Sequence, residues 1–240
     1  MDLLDLDRLP RVHKRLRRLI EFVSRHRWSL PLSLVSSASL LHLASEIREG
    51  ELQGFDASVA RAVMSWRGSL DAVMLALTTF GDWLGMALLT LLMVVAMLAL
   101  GRRREAWFML VAAGGTLVTS TLLKLIFQRG RPENLGYLIE APSSLSFPSG
   151  HAMGSMGVLA SCLVVLHVLH GSRAVRLVAI LAALSISVGV ALSRVYFGVH
   201  YASDVVGGQL AAAAWVSIIT GWFYPRLLPG EESLEPAPHD

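Results

Sequence analysis

Charge is what this sequence has least of. Only 16% of its 240 residues are Asp, Glu, Lys or Arg, while 54% are hydrophobic. A soluble domain carries about a quarter charged residues, so an ordinary soluble globule is excluded. Cysteine is nearly absent as well. Cys162 stands alone in an apolar run, which rules out an intrachain disulfide framework and leaves the redox compartment unread. It reads as a small buried hydrophobe. No internal repeat is present. No small-residue cleavage site follows the first apolar run, so that run is expected to be a retained first crossing rather than a cleaved leader. The net charge is only +3. A basic N-terminus can mark a nucleic-acid binder, but here an apolar run follows it. Membrane anchoring accounts for it better, and no nucleic-acid partner is expected.

What is present is a succession of apolar runs. Residues 1–28 carry eight Lys or Arg interleaved with Leu9, Val12, Leu16, Leu19, Ile20 and Val23. That spacing predicts an amphipathic helix on an anionic surface, read as a topology marker rather than a lipid sensor. Leu30 to Ile47 is just long enough to span a hydrocarbon core of about 30 Å. The next run is too long for one crossing. Residues 56–80 are expected as interfacial helical pieces, with a turn at Gly81-Asp82 and a second crossing over Trp83–Leu100. Asp82 reads as a turn or cap residue, and Trp66 and Trp83 suit the headgroup region. A charged turn at 101–105 precedes a third crossing, Trp107–Phe127, whose Gly114, Gly115, Thr116, Thr119, Ser120 and Thr121 predict close packing. A proline-bearing loop follows. The fourth crossing runs from Ser149 to about His170, the fifth from Val175 to Phe197 and the sixth from Asp204 to Tyr224.

The fold class is therefore all-α: a polytopic membrane bundle of six transmembrane helices, short interfacial helices before the second crossing, and both termini cytoplasmic. The expected divisions are a basic segment 1–28, a membrane domain 29–224 and a disordered tail 225–240.

Within this apolar chain three polar clusters stand out. They are Lys124 to Pro132, Phe147 to His151, and Ser193 to Asp204. Ionisable residues in membrane segments are costly and mark function. Counting crossings puts all three clusters on one membrane face. Fourteen of the 21 Lys and Arg residues fall on the opposite side. Arg48, Arg61, Arg67, Lys124, Arg129, Arg131 and Arg194 fall on the cluster side. The basic side should be cytoplasmic, so the clusters should open to the periplasm or exterior.

The residue types suit phosphoryl transfer, which needs positive charge and donors around three equatorial oxygens and an in-line nucleophile. Lys124, Arg131 and Arg194 supply charge, and the arginine fork fits phosphate oxygens. Ser149 and Gly150 open the fourth crossing, where free N–H groups and the dipole favour an anion. His200 and Asp204 are four apart and share a face if helical. A carboxylate on one ring nitrogen leaves the other bare to attack. His151 then suits protonation of the leaving oxygen.

These residues also carry a resemblance. Lys-x6-Arg-Pro, Pro-Ser-Gly-His and Ser-Arg-x5-His-x3-Asp, in this order, resemble the tripartite signature of the type 2 phosphatidic acid phosphatase family, which soluble bacterial acid phosphatases and vanadium haloperoxidases share. Lys124, Arg131, Pro132, Pro148, Ser149, Gly150, His151, Ser193, Arg194, His200 and Asp204 all match. The resemblance implies a phosphohistidine on His200, with His151 as acid and Asp204 as orienter. It implies phosphate held by Lys124, Arg131, Ser149, Gly150 and Arg194, with no metal and no cofactor.

Rival readings are weaker. A divalent metal on His151, His200 and Asp204 would be repelled by three nearby cations. Arg129 reads as a solvated loop residue, with electrostatic assistance to the site, two residues from Arg131, as the alternative. Glu133 and Asn134 carry no assignment. His13, His26, His42, His167, His170 and His239 read as interfacial or surface groups, and Tyr196, Phe197 and Tyr201 as packing aromatics. The expected activity is hydrolysis of a lipid monophosphate or diphosphate at the bilayer: undecaprenyl diphosphate, phosphatidylglycerol phosphate or phosphatidic acid. A lipid phosphotransferase using the same site, a non-enzymatic membrane binder and a haloperoxidase are the alternatives.

Overall fold

The computed structural model describes residues 28–133, 135–140, 143–169 and 172–227. The basic segment up to Arg27, the tail beyond Leu227, and His13, His26, Asn134, His170 and His239 lie outside the described residues.

The described chain is helical, with no strand. Its elements are α1 (Ser29–Glu49), α2 (Gln53–Met64), α3 (Asp71–Phe80), α4 (Trp83–Ala99), α5 (Arg103–Phe127), α6 (Gly150–Leu169), α7 (Arg173–Tyr196) and α8 (Ala202–Leu227). Five are long and apolar enough to cross a membrane: α1, α5, α6, α7 and the stretch 202–223 of α8. The pair α3 and α4, bent by 54°, passes only together, which gives up to six. The polytopic helical bundle holds, with five or six crossings; α2 precedes the second crossing as a short separate helix, whereas α3, expected to be interfacial, joins α4 when the bent pair is counted as a crossing.

Local chemistry explains the breaks. α1 stops where Gly50 turns left-handed at φ 81° and the Gly50 and Glu51 N–H groups close back onto Ile47 and Glu46 carbonyls. The bend between α3 and α4 falls at Gly81, where a Cβ would sit 2.2 Å from Val190 Cγ1. Only glycine lets α3 lie that close to α7. α5 begins earlier than hydropathy suggests, because Arg103 to Ala106 are already helical. The buried Glu105 is paired with Arg102 there, so the charged stretch is helix start as much as turn.

α8 is the hub and packs on α1, α5, α6, α7 and α2. Its small residues make this possible. Ala211 and Ala212 meet Leu40 and Ala44 of α1 with Met153 of α6. The Trp215 ring fills the space over Gly115 on α5 and donates to the Ala112 carbonyl at 3.0 Å. Gly157 receives Thr116. The expected small face of α5 is thus used at Gly115 and Thr116, while Gly114 faces open space. Leu88, Leu91, Leu92, Leu117, Val118, Leu177 and Leu181 remain exposed, the belt a lipid-facing bundle requires.

Candidate active site

The third cluster is built on the turn between α7 and α8. Gly198, at φ 79°, reverses the chain after Tyr196. Val199 N–H still reaches back to the Arg194 carbonyl at 3.1 Å. His200 sits in this turn rather than on α8, so helical spacing alone does not make the His200–Asp204 pair. Asp204 reaches back over the first turn of α8. Its Oδ2 accepts from Tyr201 N–H at 2.9 Å and lies 3.3 Å from His200 Nδ1. Ser146 Oγ donates to the same oxygen. The carboxylate is therefore held in place before it touches the ring.

Arg131 comes to the opposite edge of the imidazole. Its Nη1 is 3.2 Å from His200 Nε2 and donates to the Val199 carbonyl at 2.6 Å. Its Nε and Nη2 donate to Ser144, on the carbonyl at 2.8 Å and on Oγ at 3.1 Å. An N–H facing Nε2 and a carboxylate facing Nδ1 select the tautomer with hydrogen on Nδ1 and a lone pair on Nε2. Burial pushes the His200 ring down to about 4. Asp204 pulls it upward, and Arg131 and Arg194 push it down further. The ring is neutral at pH 7.

The other expected site residues gather at the same place. Arg194 is buried at the end of α7, and its Nη1 donates to Thr78 Oγ1 of α3. Its Nε is buried with no hydrogen-bond partner among the described residues. Such an orphaned donor is costly unless an anion accepts from it. Lys124, near the end of α5, donates to the Leu145 carbonyl. His151, in the first turn of α6, lies within electrostatic reach of Arg194, Arg131, Lys124 and the His200 ring. Ser149 stands just before α6, fully buried. Its N–H donates to the Asp204 carbonyl at 3.0 Å, and its Oγ accepts from Ala152 N–H at 3.5 Å. The Ser149 hydroxyl thus lies at the start of α6, within reach of its first turn. The N-terminus of α6 at Gly150 and His151 remains at the cluster. All eight expected residues are brought to one end of the bundle.

One expectation is refined and one corrected. Asp82 stands in the expected turn, at the N-cap position of α4, but its side chain makes no capping bond. Its Oδ1 lies 3.5 Å from His151 Nε2 instead. Arg129 is not a solvated loop residue. It is four-fifths buried, forms ion pairs with Asp56 and Asp204, and lies over the Tyr201 ring at 4.1 Å. Sequence reasoning also missed Asp56, Thr78 and Ser146. Asp56 carried the one available signal, an acid within an otherwise apolar helical face. The aromatics behave largely as expected. Tyr196 is buried, and its hydroxyl donates to Asp71 and lies 3.2 Å from the Trp66 carbonyl. His167 contacts Arg176, and His42 lies 3.9 Å from Glu46.

Relatives give this arrangement a context. Residues 105–227 match the PAP2 superfamily. Phosphatidylglycerophosphatase B of Bacillus subtilis is 33% identical over 174 residues, which are 70% of this chain and 83% of that protein. Decaprenylphosphoryl-5-phosphoribose phosphatase of Mycobacterium tuberculosis is 32% identical over 162 residues, 64% of this chain and 80% of that protein. The crystal structure of a transmembrane PAP2-type phosphatidylglycerolphosphate phosphatase from Bacillus subtilis superposes with a TM-score of 0.71 at 26% identity, covering 80% of this chain and 95% of that one. Five or six apolar crossings, one cationic cluster at a bundle end and these matches lead to a single assignment: the chain belongs to the PAP2 superfamily, as a membrane phosphatase.

Proposed function

We propose that the enzyme hydrolyses the terminal phosphomonoester of a lipid headgroup, with phosphatidylglycerol phosphate the favoured substrate, through a phosphohistidine on His200. One observation carries the mechanism. His200 Nε2 faces the guanidinium of Arg131 while Nδ1 faces Asp204. A phosphate oxygen entering the cluster takes over the Arg131 Nη1 donor, which frees the Nε2 lone pair to attack phosphorus. The orphaned Nε of Arg194, the Lys124 ammonium and the N–H groups opening α6 receive the remaining charge.

In the first step the Nε2–P bond forms and the P–O bond to the lipid breaks, while His151 gives its proton to the leaving oxygen. In the second, water attacks phosphorus and the N–P bond breaks. His151, now neutral, accepts the proton from water. Asp204 holds the ring and stabilises the charge it acquires. The lipid's apolar tails stay in the bilayer, and the Lys and Arg bias along the sequence supports an inner-membrane enzyme whose site opens to the periplasm or exterior. Residues 29–224 form the catalytic domain, with both termini cytoplasmic.

Phosphatidylglycerol phosphate is favoured because the relative at 33% identity and the superposed structure both bear that activity in their names. The relative at 32% identity favours a second reading, a polyprenyl-phosphate sugar phosphate. Phosphate release in detergent micelles across these lipids, undecaprenyl diphosphate and phosphatidic acid ranks them. A new phosphorylated lipid without free phosphate would indicate transfer rather than hydrolysis. Acid-labile ³²P on the protein from labelled lipid, absent in His200→Ala, tests the intermediate. Undiminished turnover in His200→Ala would refute it.

A further inference from the structure

Behind the His200–Asp204 pair lies a second ionic layer, in which Asp56, outside all three clusters, joins Arg129 and Ser203 from within them. Asp56 of α2 is buried. Its Oδ1 accepts from Ser203 N–H at 2.7 Å, and its Oδ2 accepts from Ser203 Oγ at 2.8 Å and from Arg129 Nη2 at 2.9 Å. Arg129 Nη1 in turn donates to Ser203 Oγ and to Asp204 Oδ1, each at 2.7 Å. Asp204 thus divides its oxygens. Oδ1 meets Arg129, and Oδ2 meets His200, Ser146 and Tyr201 N–H. Carboxylate, guanidinium, carboxylate and imidazole alternate in one buried row. Asp56 lies outside residues 105–227, the part of the chain that matches the superfamily.

We infer that Arg129 and Asp56 are positioning residues of the phosphatase site, acting on His200 through Asp204. The inference rests on the phosphohistidine reading given above. The fork of Arg129 spans two acids, a task for planar, fixed donors rather than for a point charge. It sets which Asp204 oxygen is left for the ring and offsets part of that carboxylate's charge. Asp56 fixes the far edge of the fork and pins Ser203, in the first turn of α8. Through Asp56 the interfacial helix α2 becomes part of the catalytic apparatus.

Arg129→Ala and Arg129→Lys test this, with kcat, KM and the pH dependence of kcat/KM measured on one lipid and folding followed by thermal melting in detergent. Both variants should lose about tenfold to hundredfold in kcat, the usual effect of an outer-shell partner, with KM within twofold. In Arg129→Ala the Asp204 charge is no longer offset, so protonation of His200 becomes easier and the acid limb moves to higher pH. Arg129→Lys keeps the charge and should keep the acid limb. The other groups facing His200, namely Arg131, Arg194, His151 and Ser146, are the same in both. Wild-type kcat and an unmoved acid limb in Arg129→Ala would overturn the inference. So would a loss confined to KM, or loss of the folded state in Arg129→Lys, which would make the pair a structural brace. Failure of the underlying reading is distinguishable, since wild-type enzyme would then carry no acid-labile label.

Discussion

Asp82 Oδ1 stands 3.5 Å from His151 Nε2, across the junction between the bent α3–α4 pair and the start of α6. In the proposed mechanism His151 is the proton donor, and a carboxylate at Asp82 would favour its protonated form. Asp82 is 43% exposed, so the pairing is screened and its effect is moderate. Asp82→Asn should lower kcat several-fold on a lipid, whose alkoxide needs protonation. It should hardly change hydrolysis of an aryl phosphate with a good leaving group, such as p-nitrophenyl phosphate. Equal losses on both substrates would show that Asp82 does not assist proton transfer.

Burial outweighs Asp204 at His200, which sets a second prediction. The ring should titrate near pH 4 rather than near its ordinary 6.5. Between these values the unfolded chain binds the proton and the folded one does not. This group's contribution to stability is therefore present above 6.5 and is lost as pH falls toward 4. At pH 5.5 an unperturbed histidine would be only about one-tenth neutral, whereas His200 should remain almost wholly neutral and competent to attack. The ¹⁵N-histidine resonance missing from His200→Asn reports the midpoint. A midpoint at or above 6.5 would mean that the carboxylate, not burial, dominates.

These two residues also mark how far the sequence carries. Hydropathy and loop residues placed the crossings within a few positions, because lipid demands long apolar helices with no unpaired backbone. The same segmentation put Lys124, His151, Arg194, His200 and Asp204 on one face before any distance was known. Asp56 and Thr78 were not legible, and Arg129 only as a lesser alternative. Each acts through a partner about 75 residues or more away: Arg129 on Asp204, Asp56 on Ser203, Thr78 on Arg194. No local spacing records such a meeting. Asp82 was read in part: its turn and N-cap position hold, as an acid before a helix suggests, but only the approach of α6 gives its side chain a partner.

Thr78 is the single side chain from the bent α3–α4 segment that bonds Arg194. Removing its hydroxyl leaves the buried guanidinium with a second unsatisfied donor beside Nε. Thr78→Val keeps the shape and deletes the bond. The orphaned donor should cost about 1–3 kcal/mol, felt as weaker phosphate binding once Arg194 can swing away. Inhibition by inorganic phosphate should weaken roughly tenfold, since about 1.4 kcal/mol is one decade in binding. An unchanged inhibition constant would show that Arg194 holds its position without α3.

Two glycines separate packing that aligns the site from packing that does not. A Cβ at Gly208 on α8 would lie 2.7 Å from the Ser149 carbonyl oxygen and 3.0 Å from Met153 N, both backbone atoms of the α6 start. Backbone cannot step aside as a rotamer can, so α6 must move away from α8. The Ser149 N–H to Asp204 carbonyl bond, at 3.0 Å, crosses that same contact. Gly208→Ala should destabilise by about 1–3 kcal/mol, as overpacking does, and should lower kcat because His151 rides on α6 while His200 and Asp204 stay with α8. Gly114→Ala is the counterpart. It meets nothing within 4 Å in mid-helix, so it should stabilise by about 0.5–1 kcal/mol and leave kcat unchanged. Thermal melting and phosphate release on the two variants decide the matter. If Gly208→Ala melts and turns over like wild type, the close approach of α6 and α8 is not what holds the two histidines in register.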